Sequence, residues 1–568
     1  MHLYIAAVSL LLSWLIPLHL PPWVSWHLEL FAFLAVFFLA WFVFLCSSKE
    51  RIRLVSFPAL TLPFLGLILL AAGQFTTGLI TFVGDALVFM FYMTLCVMCL
   101  TLGFTYNRQT TRPRANVRVE GNEHSGLTLL AVTLTLGAFA SAIIAFAQVL
   151  DVWSSADWIN RMPQLRRPGG NVAQPNHLAT LLLMGMVSLL FLYEASKIKA
   201  LPSALILVVL CAALAVTESR TGVLSFLLLT GWWYVQNRRT SFRLSPWLVG
   251  LSVAGFLGFF WAWPSIYDLL QQTSGLASEA NTKAGSRLVV WPQLLDAVAQ
   301  RPWWGWGLGD VPEAQNAVAH AYPASEPFSY SHNILLDLAL GMGVPLTALL
   351  VLVTGGWLWR RVRAANQLLS WYCLAVVLPV AVHSMLEFPF AYAYFLVPVM
   401  FSLGALESAA GSKPALSIGV RPAALLLFVA SVIGAWSVVE YVSIEEDFRV
   451  ARFEALRVGQ TPPDYRRPTV VLLTQLSALL DGARISPKPG MNPDELVLIK
   501  NVALRYPWTA TQNRYALSLA LNGDPEEAIR QLRVMRALHG EGPYEEIKAN
   551  WNNLAQNKYP QLRELKLP

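Results

Sequence analysis

The chain has 568 residues, of which 55% are hydrophobic and only 13% are charged, and its mean hydropathy is +0.50. Soluble proteins carry about 25% charged residues, so this composition excludes a large soluble enzyme, whose domains would lack polar surface. The formal net charge of +7 does not indicate a nucleic-acid partner, because the basic residues follow a topological pattern. The composition predicts an all-α polytopic membrane protein, in contact with membrane lipids.

About thirteen apolar runs are candidates for transmembrane helices, since a crossing helix needs about 20 apolar residues. The runs lie near 3–18, 28–46, 54–72, 80–104, 127–150, 177–194, 201–217, 222–236, 246–263, 333–357, 369–384, 389–407 and 422–441. The first run lacks the basic segment and the cleavage site of a secretory signal, so we count it as a span.

Lysine and arginine follow each even-numbered run, whereas the loops 19–27 and 73–79 contain neither residue. Positive residues in short loops stay on the cytoplasmic side of a membrane. The pattern predicts a cytoplasmic N-terminus. It also predicts a large loop on the outer side of the membrane at about 264–332 and a C-terminal segment on the same side. Residues 1–441 are therefore the predicted transmembrane domain.

Residues 442–568 form a second predicted domain, which is soluble, because 32 of its 127 residues are charged. Within it, Thr511–His539 is typical of two helices joined by a turn at Asn522–Pro525. This pair resembles one unit of a tetratricopeptide repeat, although no second copy is evident. The domain is predicted either to dock an acceptor protein or to serve only folding.

Neither a metal nor another cofactor is expected. The chain has no Walker-type loop and no cluster of carboxylates that would hold a divalent cation. All five cysteines lie in apolar runs, so we predict no disulfide and no thiolate metal site. The cysteines are Cys46, Cys96, Cys99, Cys211 and Cys373.

Arginines on the outward-facing loops break the charge bias of the rest of the chain. Four of them, Arg166, Arg167, Arg220 and Arg287, are the candidates for binding an anion. The planar guanidinium group matches phosphate oxygens and keeps its proton at ordinary pH, so these residues predict a site for a phosphorylated anion. The alternative is a structural role, in which they pair with Glu218, Asp151 or lipid phosphate.

His332 lies where the long outer loop enters the tenth apolar run. A neutral imidazole can accept a proton from a hydroxyl near pH 7, so His332 is the candidate general base. A histidine at the start of a helix can also be a cap or an interface residue. His177, His320 and His383 are the competing histidines.

Several motifs resemble the O-antigen ligase and polymerase superfamily over residues 160–400. They are Arg167–Asn171 with Gln174–His177, Glu218–Gly222, Arg301–Gly309, and Ser331–Leu336 with Gly341 and Gly343. The stretch His383–Phe390, followed by Tyr392 and Tyr394, is similar to the protein O-oligosaccharyltransferase branch of bacteria, which glycosylates pilins and other periplasmic proteins.

The resemblance implies transfer of a preassembled glycan from undecaprenyl pyrophosphate to a serine or threonine hydroxyl of a periplasmic protein such as a pilin, without metal or nucleotide. It also implies a location in the bacterial inner membrane, with the active site, the large outer loop and the C-terminal domain on the periplasmic side. It implies that His332, Arg220 and Arg287 are catalytic. The residues it implies for substrate binding are Arg166, Arg167, Gln174, Asn176, His177, Glu218 and Tyr392. Tyr392 is proposed for an aromatic hydroxyl of the family because Phe388 occupies the motif position where tyrosine is often found.

Three other functions remain open from the sequence. Lipid A core or another lipid-linked glycan could be the acceptor, as in an O-antigen ligase or an O-antigen polymerase. A transporter or flippase is a third possibility, but it predicts charges at mid-span and broken helices repeated in two halves. The apolar runs contain few charges, and no internal repeat is evident.

Overall fold

The structure is a computed structural model that describes residues 2–50, 54–111, 125–152, 157–162, 166–271 and 286–568. Several basic residues used for the predicted topology or placed in the outer loop lie outside the described residues: Arg51, Arg53, Arg112, Arg114, Arg118 and Lys283. The described chain consists mainly of helices and divides into two compact units.

The first unit comprises Met1–Gly66, Tyr92–Asn281 and Thr354–Ser431, and the second comprises Leu67–Phe91, Thr282–Val353 and Val432–Pro568. The helices up to the long loop are α1 (His2–Leu15), α2 (Trp26–Glu50), α3 (Thr61–Thr76), α4 (Val83–Thr111), α5 (Ser125–Val149), α6 (Pro175–Glu194), α7 (Ala200–Val216), α8 (Arg220–Thr240) and α9 (Pro246–Gln271). The remaining helices are α10 (Ser286–Gln300), α11 (Val311–Ala319), α12 (Ile334–Met342), α13 (Val344–Ala364), α14 (Leu368–Ser384), α15 (Ala393–Ala409), α16 (Val420–Leu456), α17 (Thr474–Arg484), α18 (Pro493–Arg505), α19 (Thr509–Leu521), α20 (Pro525–His539) and α21 (Glu541–Asn557).

Six helices in the described part of the chain are long and apolar enough to cross a membrane: α2, α4, α5, α6, α9 and α16. Five shorter apolar helices accompany them: α1, α3, α7, α14 and α15. These helices confirm the prediction of an all-α membrane protein, whereas the number of about thirteen spans stays a prediction.

Two predicted runs differ from the structure in detail. The run at 54–72 begins with a strand, β1 (Leu54–Pro58), which pairs antiparallel with β2 (Pro414–Gly419) before α3 starts. The run at 333–357 is divided at Gly343 into α12 and α13, and Gly343 has a φ of +79°. A residue with left-handed backbone cannot continue a right-handed helix, so the helix is interrupted there.

Other boundaries refine the predicted domains. Helix α9 includes Pro264, at which the predicted long loop begins, and continues to Gln271. The long loop itself contains α10 and α11, and α16 extends beyond the predicted span to Leu456. The two helices predicted within Thr511–His539 are α19 and α20. The start of α20 is marked by Asp524 as N-cap and Pro525 as first residue.

The core of the first unit is built from closely packed helices. Gly103 on α4 faces Phe401, and Gly404 on α15 faces Leu100, so that an added Cβ at either glycine would collide with the backbone of the opposite helix. Small residues allow such close helix contacts within membranes. Helix α15 is thereby fixed next to α4, and the segment that precedes α15 carries the predicted site residue Tyr392.

The core of the second unit joins the long loop to the C-terminal segment. Asn316 on α11 and Gln531 on α20 are both buried and exchange two hydrogen bonds of 3.1 Å. The Ser325 amide donates to the Ala537 carbonyl at 2.7 Å. Ala319, Val534 and Leu538 form a small buried cluster. Within this unit, the C-terminal helices therefore pack directly on the long loop.

Candidate functional site

The first unit contains a cluster of arginine, carboxylate and amide side chains at the N-terminal ends of α6 and α8. The structure brings together Arg166, Arg167, Gln174, Asn176, His177, Glu218 and Tyr392 from the predicted set. Arg220 adjoins this cluster as the first residue of α8. His332 and Arg287 belong to the second unit.

Arg166 is bound to Glu218 by a two-pronged ion pair. Its Nε lies 2.7 Å from Glu218 Oε1, and its Nη2 donates to Oε2 at 3.1 Å. Both residues have positive φ, +68° and +49°, which is a strained conformation for residues other than glycine. The ion pair links the loop before α6 to the turn before α8. This geometry matches the structural alternative for Arg166.

Arg167 is also held in place, but by neutral groups. Its Nε donates to the Thr217 carbonyl at 3.0 Å, and its Nη2 donates to Asn176 Oδ1 at 3.4 Å. Burial lowers the pKa of Arg167, while the nearby carboxylates of Glu218 and Glu387 act in the opposite direction. Arginine has so high a pKa that the guanidinium remains charged. Arg167 is therefore a fixed cation at the base of the cluster.

Arg220 differs from both of these arginines because it is exposed. Among the residues that the structure describes, it has neither a hydrogen-bond partner nor an ion-pair partner. Ser219 caps α8, since its Oγ accepts a hydrogen bond from the Gly222 amide at 3.0 Å. The N-terminal end of a helix is positively polarised and attracts anions. The free guanidinium of Arg220 thus adds a full charge to a favourable backbone position.

Glu387 connects the cluster to the turn after α14, and it is not among the sequence-predicted residues. Its carboxylate is 6% exposed and accepts hydrogen bonds from Asn176 Nδ2 at 3.3 Å and Gln174 Nε2 at 3.5 Å. Asn176 Oδ1 in turn accepts a hydrogen bond from Ser219 Oγ at 2.7 Å. A buried carboxylate is retained only when it is paired or hydrogen-bonded. The sequence signals for Glu387 are its position as a lone acid between two apolar runs and its place within the motif stretch His383–Phe390.

A layer of histidine and tyrosine lies below these polar groups. His177 and His383 are buried, and their ring centroids are 5.4 Å apart. His177 Nδ1 lies 3.0 Å from the Tyr394 hydroxyl, and the Tyr392 ring packs 4.6 Å from the His177 ring. His177 therefore supports the two tyrosines from within, and the half-buried Tyr392 is nearer to the surface.

His332 stands at a separate turn, in the second unit, immediately before α12. It has a φ of +62°, and its ring packs 4.5 Å from the Phe328 ring. Asn333 caps α12 by accepting hydrogen bonds from the amides of Leu335 and Leu336 at 3.0 and 3.2 Å. The backbone at His332 is thus held in a left-handed conformation, and strained residues of this type cluster at functional sites.

Asp337, one turn into α12, supports the same turn. Its Oδ1 accepts a hydrogen bond from the Ser331 amide at 2.8 Å, and Trp291 Nε1 donates to the Ser331 carbonyl at 2.9 Å. Helix α12 has nine residues and is too short to cross a bilayer. Burial raises the pKa of Asp337 to about 7, although the hydrogen bonds from Ser331 and the charge of His332 oppose this rise.

Arg287 is the second residue of α10, and its side chain lies outside the described residues. Its predicted catalytic role therefore stays a prediction.

The chain matches three protein-family models. They are described as "O-Antigen ligase" over residues 205–351, "Protein glycosylation ligase" over 168–193, and "Virulence factor membrane-bound polymerase, C-terminal" over 371–554. Arg220 and His332 lie within the first match, Gln174 and Asn176 within the second, and Glu387 within the third. The third match also continues from α14 into the C-terminal helices.

Two curated proteins of Acinetobacter baylyi are similar to the chain. One, named "General O-oligosaccharyltransferase", is 26% identical over 551 residues, which cover 94% of this chain and 92% of that protein. The other, named "ComP-specific O-oligosaccharyltransferase", is 29% identical over 253 residues, which cover 43% of this chain and 44% of that protein. Together with the family models and the apolar helices, these similarities show a multi-pass membrane glycosyltransferase. The chain is similar to the bacterial O-oligosaccharyltransferases and to the O-antigen ligase family.

Proposed function

We propose that this enzyme transfers a preassembled glycan en bloc from undecaprenyl pyrophosphate to a serine or threonine hydroxyl of a periplasmic protein, such as a pilin. The names of both curated relatives support a protein acceptor. The alternation of basic loops supports a location in the bacterial inner membrane with the reaction on the periplasmic face.

The observation that supports this proposal most directly is that the three arginines of the cluster differ in whether their guanidinium groups are already bound. Arg166 is neutralised by Glu218, and Arg167 is bound to a backbone carbonyl and to an amide. Arg220 is exposed at the capped start of α8. A diphosphate needs charged donors that are free to bind it, so Arg220 is the residue to which we assign the pyrophosphate. Arg167 supplies a second, fixed positive charge.

The reaction needs two bond changes and one proton transfer. The oxygen of the acceptor hydroxyl forms a bond to the anomeric carbon of the glycan, and the bond from that carbon to the pyrophosphate oxygen breaks. The electron pair of the broken bond leaves with undecaprenyl pyrophosphate. Arg220 stabilises the negative charge that develops on this leaving group. Arg287 is assigned the same task by its match to the family motif.

His332 is assigned the proton of the acceptor hydroxyl. A half-buried imidazole can orient the hydroxyl and accept its proton during attack. The turn that holds His332 is fixed by Asn333, Asp337 and Trp291, so the ring has a defined direction, as catalysis by positioning requires.

The decisive experiment compares Arg220→Ala with Arg238→Ala. Arg238 is exposed near the opposite end of the same helix, so both changes remove one exposed positive charge from α8. Each variant is inserted in membranes that contain a lipid-linked glycan and a periplasmic acceptor protein, and glycan transfer is measured. We expect a loss of roughly 100-fold for Arg220→Ala, typical of removing one preorganised donor to developing charge. Arg238→Ala is expected to keep full activity. Equal activities of the two variants would remove Arg220 from the mechanism.

The product of the same assay decides the acceptor class. Sugar on the protein supports the proposal, whereas sugar on lipid A core indicates an O-antigen ligase, and longer lipid-linked chains indicate a polymerase. Transport of the lipid-linked glycan without transfer would indicate a flippase. A His332→Ala variant that retains full transfer while it is inserted in the membrane would refute the role of His332 as general base.

A further inference from the structure

Outside the residues assigned to the reaction, two adjacent tryptophans on the long loop are strongly exposed. Trp303 and Trp304 expose 71% and 79% of their surfaces. Tryptophan is highly buried on average, and an indole prefers a site where its ring is apolar and its N–H is hydrated. Neither indole N–H has a hydrogen-bond partner among the residues that the structure describes. A loop that is surrounded only by water does not explain why two adjacent tryptophan rings are exposed.

The exposure is built into the backbone. The Val344 amide donates to the Pro302 carbonyl at 2.7 Å, and the Trp306 amide donates to the Leu340 carbonyl at 2.6 Å. Gly343 approaches the Trp303 carbonyl so closely that an added Cβ would collide with it. These contacts fix the segment 302–306 on the junction of α12 and α13. The neighbouring Trp306 is buried and lies under Arg301, whose guanidinium carbon is 3.9 Å from its ring centroid. The two exposed rings are thus held outward by a rigid turn.

The tryptophans are continuous with an apolar surface on α13. The described residues 344–353 of this helix expose large apolar side chains and carry no charge; among them are Val344, Leu346, Leu349 and Leu352. Helix α13 is not one of the six helices named above as long and apolar enough to cross a membrane. Its uncharged residues 344–359 are about 24 Å long at 1.5 Å per residue, and arginines at a helix end extend to the membrane surface, so the helix can reach across a hydrocarbon core of about 30 Å. Its arginines, Arg360, Arg361 and Arg363, are confined to the far end.

We infer that Trp303 and Trp304 lie in the headgroup region of the bilayer, in the leaflet opposite to the three arginines of α13. Tryptophan concentrates at membrane interfaces, where the ring contacts acyl chains and the N–H meets polar groups. The partner of this surface is the lipid bilayer. If the two tryptophans lie at this depth, the rigid turn fixes how far the long loop stands from the membrane surface. His332 is part of the same loop. The inference is independent of the transfer reaction and of the acceptor.

The test measures the depth of position 304 in a bilayer. A small fluorescent amino acid is introduced at residue 304 by suppression of a stop codon, and the full chain is placed in vesicles of phosphatidylethanolamine and phosphatidylglycerol. The same probe at residue 508 is the matched control, because Trp508 is 46% exposed but lies on the charged C-terminal segment. Quenching is measured with brominated acyl chains and with iodide in the buffer.

We expect brominated lipids to quench the probe at 304 at least twofold more than the probe at 508, and iodide to show the opposite order. A repeat with the probe at 303 guards against a local effect of one substitution, and the same order is expected. Equal access of iodide to 304 and 508 would overturn the inference. Access of iodide at 304 that is lost when lipid-linked glycan is added would also overturn it, since the pair would then be a glycan-binding surface.

Discussion

The hydrogen-bonded pair Asn316 and Gln531 allows a quantitative test of how the C-terminal helices hold the long loop. The two side chains are 2% and 1% exposed, and each amide donates to the other at 3.1 Å. Gln531→Met keeps the volume of the side chain but removes both hydrogen bonds. It leaves the Asn316 amide buried without its acceptor, which costs about 2 kcal/mol.

The effect is local, so the measurement must be local too. Hydrogen exchange of the α11 amides, followed by mass spectrometry in nanodiscs, reports the free energy of opening this helix. A loss of about 2 kcal/mol predicts exchange that is roughly 30-fold faster, since 1.4 kcal/mol corresponds to a factor of ten. Asn316→Leu alone is expected to have a similar effect.

The double variant Asn316→Leu, Gln531→Met distinguishes hydrogen bonding from general damage. When both partners become apolar, no buried polar group in this pair is left unpaired, so the double variant is expected to be more stable than the sum of the two changes by about 1–2 kcal/mol. Arg530 Nη2 also donates to Asn316 Oδ1 at 3.3 Å, and Gln531 Nε2 also donates to Glu527 Oε1 at 2.9 Å. Each of these bonds is lost in one single variant and again in the double variant, so its loss cancels in the comparison. Additive effects of the two substitutions would refute the view that this pair joins the loop to the C-terminal helices.

Three further predictions concern single side chains. Because burial raises the folded-state pKa of Asp337 to about 7, above its ordinary value near 4, the group's contribution to stability is complete below pH 4 and is lost as the pH rises through 7. The thermal midpoint should fall between pH 5 and 7.5, and Asp337→Asn should reduce this slope; an unchanged slope would contradict the assignment. Glu387→Gln should lower the rate of transfer about tenfold by loosening Asn176, whereas Glu387→Ala should lower it further; equal rates in wild type and both variants would exclude a positioning role. Gly343→Ala should displace Trp303 and lower the thermal midpoint, because its φ of +79° disfavours alanine; an unchanged midpoint would show that the turn tolerates a Cβ.

Much of the fold follows from local patterns in the sequence. Apolar runs predict the membrane helices because their length and composition are local properties. The helices α19 and α20 were also predictable, since Asp524 and Pro525 are start signals of a helix. The pairing of β1 with β2 was not, because the strands lie more than 350 residues apart in the chain. The break at Gly343 is equally invisible to hydropathy, which does not detect close backbone contacts.

The candidate site shows the same division. Arginines on outward loops are unusual in themselves, so Arg166, Arg167 and Arg220 could be selected from the sequence. Which of these arginines is paired and which is exposed could not be predicted. The ion pair of Arg166 with Glu218 forms only because the fold brings together two residues that lie 52 positions apart in the sequence. Glu387 was missed for a related reason: its partners, Gln174 and Asn176, are more than 200 residues away.

The hydrogen bonds that link α11 and the segment after it to α20 have a consequence for protein engineering. Chimaeras that exchange the C-terminal helices between relatives, in order to redirect the enzyme to another acceptor, would separate Asn316 from Gln531 and Ser325 from Ala537. A transplant that includes α11 and the following segment to Phe328 would keep these partners together. The natural cassette for such an exchange therefore consists of two stretches of sequence.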